Sequence, residues 1–132
     1  MTFGGFGVDW RVWAIRGAVT VSDNTEAAIR EAVTELVDAI EERNQLDPVC
    51  IISATFSVTR DLDAVFPAAI ARQRPQWDNV ALLDVQHMHV EGSLPCCIRV
   101  LMHVQLPITH GKVHHVYLRG ARDLRPDLVV TG

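Results

Sequence analysis
The sequence predicts an α+β fold: a mixed sheet of about five strands with a long amphipathic helix and a shorter helix on one face. Three observations predict it. The elements read in the order β-α-β-α-β-β-β, with the last three strands nearly consecutive. One segment has a clear helical stripe of apolar residues. No third helix is available to cover the far side of the sheet, which leaves that side for a partner subunit.

Val12–Val21 reads as the first strand, Trp13 and Ile15 alternating with Arg16. Ser22-Asp23-Asn24-Thr25-Glu26 is a helix start, with Asp23 and Glu26 at capping-box spacing. Ile29, Val33, Leu36, Val37 and Ile40 then form the stripe, and Asp47-Pro48 breaks it. Val49–Phe56 is β-branched and apolar, a buried strand. Leu62–Arg74 reads as the shorter helix, with Pro67 in its first turn and Pro75 as its stop. Val80–Val90 is a third strand and Ile98–Leu106 a fourth. The turn Glu91-Gly92-Ser93 between them suggests a hairpin. Val113–Leu118 is a fifth strand, and Leu124-Arg125-Pro126-Asp127 a closing turn before an apolar tail.

The 132 residues are the size of one domain, expected over 12–132 with residues 1–11 as an N-terminal extension. A 48% hydrophobic and 21% charged composition is that of an ordinary globular chain. The net charge of −4, with no basic tract, argues against nucleic acid as a partner. No apolar run is long enough to span a membrane. Met1–Gly7 lacks the basic start of a secretory leader, so a cytoplasmic protein is expected. Cys50, Cys96 and Cys97 are an odd set with an adjacent pair, better read as reduced thiols than as a disulfide framework. His87 and His89 have i, i+2 spacing, but no cysteine or carboxylate completes a ligand set, so no metal is expected.

Four arginines stand beside apolar sequence: Arg16, Arg72, Arg99 and Arg125. Each alone reads as a solvent-facing residue; together they could clamp a dianion.

Five segments in order carry a resemblance. They are Ile15-Arg16-Gly17-Ala18-Val19-Thr20-Val21 with Asn24-Thr25-Glu26, Ile52-Ser53-Ala54-Thr55, Asp63-Ala64-Val65-Phe66-Pro67-Ala68, Cys97-Ile98-Arg99-Val100-Leu101, and His115-Val116-Tyr117-Leu118 with Leu124-Arg125-Pro126-Asp127-Leu128. The chain resembles the AroH-type chorismate mutases, monofunctional enzymes that assemble as a trimeric pseudo-α/β barrel. The resemblance implies a homotrimer with sites between subunits, chorismate as substrate, and its Claisen rearrangement to prephenate in aromatic amino-acid biosynthesis. That reaction needs no cofactor, metal or nucleophile. It requires a flexible dicarboxylate held in a reactive conformer and stabilisation of the charge that develops. By resemblance, Arg99 donates to the ether oxygen, Arg16 and Tyr117 bind a carboxylate end, and Arg72 adds positive potential across a subunit boundary. Phe66 and Ala68 line an apolar wall, and Leu124 and Arg125 close the site.

The sequence departs from that family at three places. His87 stands where the family usually has a glutamate, Asp84 where it often has a cysteine, and Ala69 where it has a lysine. Asp84 and His87 could share the glutamate's work, but residues three apart on a strand face opposite ways, so a bend would be needed. A non-catalytic anion-binding trimer of the same fold is the alternative. A trimeric enamine or imine deaminase is a third reading, opposed by Phe66-Pro67-Ala68 and the Leu124–Asp127 ending.

Overall fold
The computed structural model describes residues 2–3 and 8–125. Pro126, Asp127 and the apolar tail expected after them lie outside the described residues, as do residues 1 and 4–7 of the N-terminal extension. The strands are β1 (Thr2–Phe3), β2 (Val8–Thr20), β3 (Ile51–Val58), β4 (Ala81–Gln86), β5 (Cys97–Pro107) and β6 (Val116–Leu118). The helices are α1 (Glu26–Arg43) and α2 (Pro67–Arg72), with short 3-10 turns at Pro48–Cys50, Ile108–His110 and Arg119–Leu124. The mixed sheet runs β1-β2-β5-β3-β4, and β6 lies parallel to β2 through Gly17↔Val116, Ala18↔Tyr117 and Val19↔Leu118.

The expected hairpin between the third and fourth strands is overturned. β4 pairs parallel with β3, from Ser53↔Ala81 to Val58↔Gln86, making β3-α2-β4 a crossover unit. β5 lies antiparallel between β2 and β3. Burial explains the order. Ile98, Val100, Met102, Val104 and Leu106 are all buried on β5, as a central strand requires, whereas β4 carries Asp84 and Gln86 and is tolerated at an edge.

The stripe of α1 is as predicted, and Ile29, Val33, Leu36, Val37 and Ile40 are wholly buried. Its cap is not. The Thr25 hydroxyl, rather than Asp23, accepts from the Ala28 N–H at 3.1 Å. Helix α2 is shorter than expected. The segment before it is held by a distant side chain instead: Asn24 Oδ1 accepts from the N–H groups of Asp63 and Ala64, and its Nδ2 donates to Asp63. Phe66 is extended, as a residue before proline prefers, so the helix begins at Pro67.

Both helices pack on one face of the sheet. At Gly17 the α1 helix comes so close that a Cβ would lie 2.9 Å from Ile40 Cδ1 and 3.1 Å from both Leu36 Cδ1 and Val100 Cγ1. The other face is open. Register places Leu83, Thr55, Leu101 and Arg16 in one row across it, and Val85, Ser57, Arg99, Ala18 and Tyr117 in the next.

Candidate active site: an arginine-lined hollow
Those two rows bring Arg16 and Arg99 together as diagonal cross-strand neighbours. β6 adds Tyr117, and the 3-10 turn after it delivers Leu124 and Arg125. Together with Thr55, Ser57, Leu101 and adjoining backbone they line a hollow of about 560 Å³. None of the described residues lining it is acidic, so three guanidiniums face one space in a chain of net charge −4. Tyr117 is buried in a small apolar cluster with Ala18, Cys97 and Ala121, edged by Leu124. The Arg99 Nε is buried without a hydrogen-bond partner among the described residues.

Two histidines sit beside these cations and both are held toward the neutral form. His87 follows β4 and its Nδ1 lies 3.2 Å from Ser57 Oγ, in the row that holds Arg99. Burial, and then the Arg99 charge, lowers its pKa. His115 Nδ1 accepts from the Arg16 N–H at 2.9 Å, taking the place of a backbone acceptor just ahead of β6. Burial lowers its pKa as well, reinforced by Arg16, Arg125 and His114.

Phe66, Ala68, Arg72 and Asp84 lie elsewhere. Phe66, 70% exposed, lines a second hollow of about 550 Å³ with Val65, Pro67 and Asp84. Ala68 is buried beneath it. Arg72, in the last turn of α2, lines neither hollow, although its charge reaches Asp84. The bend needed for Asp84 to join His87 is not present: the β3–β4 ladder is regular through Phe56↔Asp84. Asp84 turns to the helix side and accepts from the Ala68 N–H at 3.0 Å. Burial raises its pKa, against the pull of that N–H and of Arg72. Within one chain, then, Asp84 stands with Phe66 and Ala68, and His87 with Arg99.

The sequence reading missed Ser57 and His115. Ser57 had a signal: Ser53, Thr55 and Ser57 alternate with Ala54, Phe56 and Val58, marking one polar face on β3. His115 had none, because its partner is 99 positions away. Among the described residues no three His, Cys, Asp or Glu side chains are grouped to hold a metal ion. No described helix is long and apolar enough to cross a membrane.

The fold and the hollow define a small α+β protein whose open sheet face gathers several guanidiniums. The comparisons with known proteins make that class specific. The family model "Chorismate mutase type I" matches residues 12–128. The chain is 41% identical over 117 residues to chorismate mutase AroH of Bacillus subtilis, covering 89% of this chain and 92% of that one. It is 43% identical over 118 residues to chorismate mutase AroH of Thermus thermophilus, covering 89% and 96%. A solved chorismate mutase from Clostridium thermocellum superposes with a TM-score of 0.77 at 46% identity, over 84% of this chain and 98% of that one. The chain belongs to the type I chorismate mutase family, and it is an isomerase.

Proposed function
We propose that this chain converts chorismate to prephenate in aromatic amino-acid biosynthesis, as a cytoplasmic homotrimer whose sites are completed between subunits. The observation that carries the reading is the convergence of Arg16, Arg99 and Arg125 on one hollow that none of the described acidic residues lines. A dicarboxylate is the ligand that such a charge pattern favours.

In this reading Arg16 and Arg125 take the substrate's carboxylates, and Tyr117 bonds to the Arg16 end. The bound conformer brings the enolpyruvyl side chain over the ring, which removes most of the entropic barrier. As the ether C–O bond lengthens and the new C–C bond forms, negative charge grows on the ether oxygen. Arg99, whose buried Nε has no hydrogen-bond partner among the described residues, meets that charge. His87, neutral and beside Arg99, hydrogen-bonds the substrate hydroxyl in place of the glutamate. Asp84 fixes the start of α2 and thereby Phe66 and Ala68, which wall the adjacent subunit's site, while Arg72 adds potential there.

Support for the trimer comes from the open face, where Val12, Leu83 and Leu101 are 54%, 58% and 41% exposed. These are large apolar side chains for a free surface.

The test is to add chorismate and follow its absorbance. Decay well above the spontaneous rate is expected, falling as the protein is diluted below the dissociation constant of the trimer. His87 in the glutamate's position is the one feature that favours the alternative, a trimer that binds the dianion without turning it over. Saturable binding of a prephenate-like dicarboxylate with no decay would establish that alternative.

A further inference from the structure
Arg119 directly follows β6 and lines neither of the two hollows described above, yet it is tied to two other elements of the fold. Its backbone φ is +55°, a region that side-chain-bearing residues occupy only when their surroundings hold them there. The surroundings are explicit. Its Nε and Nη2 donate to Glu35 Oε2 at 3.0 and 2.7 Å, and Nη2 lies 3.5 Å from Glu31 Oε1, so the outer face of α1 holds the guanidinium. Its Nη1 donates to the Thr20 carbonyl at 3.1 Å, at the last residue of β2. The next residue repeats the attachment, the Gly120 N–H donating to Thr20 Oγ1 at 3.0 Å.

These contacts fix the first residue of the turn Arg119–Leu124, whose far end presents Leu124 and Arg125 to the hollow. Ala121, buried with Ala18, Cys97 and Tyr117, and Leu124 at the edge of that cluster add apolar packing to the same turn.

We propose that Arg119 is a positioning residue for the substrate site: by tying the turn to Glu35 and Thr20 it sets where Leu124 and Arg125 meet the substrate. The inference rests on the arginine-lined hollow being the chorismate site. It concerns binding rather than the bond-breaking step, because Arg99 belongs to β5 and is independent of the turn.

The test measures kcat and KM for Arg119→Gly, which keeps the backbone conformation accessible while deleting the clamp, in the presence of Arg125 and of Arg125→Ala. KM should rise about tenfold with kcat within about threefold, the pattern of lost ground-state binding. Arg125→Ala should raise KM by a smaller factor in Arg119→Gly than in the wild type, because an arginine already misplaced has less to lose. An unchanged KM, or an equal penalty for Arg125→Ala in both backgrounds, overturns the proposal. If Arg119→Gly fails to fold, the pair Glu31→Gln and Glu35→Gln, on the exposed side of α1, decides: KM should rise about threefold, and no rise overturns it. Arg16→Ala separates the two levels. If it leaves KM unchanged, the hollow is not the substrate site; if it raises KM while the Arg119 and glutamate variants do not, only the clamp is wrong.

Discussion
Replacing Arg99 is the sharpest test of how the hollow works. Its guanidinium is one of three there, and its Nε is buried with no protein acceptor among the described residues. Arg99→Ala leaves Arg16 and Arg125 in place to hold the carboxylates, so KM should change less than about tenfold. What is lost is the donor toward the oxygen that gains charge. Removing a single preorganised donor of this kind costs about 3–4 kcal/mol of barrier, or roughly 10²–10³ in kcat. Arg99→Lys keeps the charge but not the planar fork or the Nε, and should recover only about tenfold. Neither change should alter the unfolding free energy by more than about 1 kcal/mol, because the side chain is only partly buried. Steady-state kinetics on chorismate, with urea melts as the control, reads all three quantities. A large rise in KM with kcat nearly intact would refute the assignment and make Arg99 a carboxylate ligand.

Three further outcomes follow from the geometry. Gly17→Ala should destabilise by about 1–3 kcal/mol, since its Cβ would crowd methyl groups of Ile40, Leu36 and Val100; an unchanged thermal midpoint would mean α1 can retreat at no cost. Asp84→Ala should lose about 1–2 kcal/mol by stranding the Ala68 N–H, whereas Asp84→Asn keeps an acceptor, sheds a partly buried charge and should match or exceed the wild type in urea at pH 7. His87 and His115 both have pKa values below the usual 6.5 in the folded chain, so the unfolded chain takes up protons first as pH falls. Their contribution to stability is therefore present above pH 6.5 and lost as pH falls through the lowered values; His115→Gln should flatten that slope in melts between pH 7 and 5.

Much of this was legible from local pattern. The α1 stripe, the strand segments and the cluster of arginines beside apolar residues all follow from periodicity and charge, which are local signals. Strand order was not legible, because Val80–Val90 and Ile98–Leu106 look like hairpin partners in sequence. It is the uninterrupted burial of alternate β5 residues that claims the centre of the sheet and leaves β4 at the edge. The Thr25 cap was mislocated because Asp23 offers the same chemistry two residues earlier. The place of Asp84 was half legible: strand alternation already set it opposite His87, and the regular ladder keeps it there.

The histidine at position 87, where the family resemblance implies a glutamate, bears on the charge balance proposed for the hollow. A carboxylate beside Arg99 would cancel part of the field of three guanidiniums; a neutral imidazole cancels none, and the Arg99 charge helps keep it neutral. With His87 neutral, the guanidiniums of the hollow repel one another more than they would beside a carboxylate at position 87, and a bound dianion offsets that repulsion. Substrate binding should depend steeply on salt, since the screening length falls from about 10 Å at 0.1 M to about 3 Å at 1 M. His87→Glu supplies the missing counter-charge. It should weaken the dependence of KM on salt and raise stability at pH 7 by placing a carboxylate beside Arg99. The comparison needs only KM against salt for the two proteins. Parallel salt dependences would mean that position 87 does not sense the hollow's charge, and that the Ser57–His87 contact serves β4 alone.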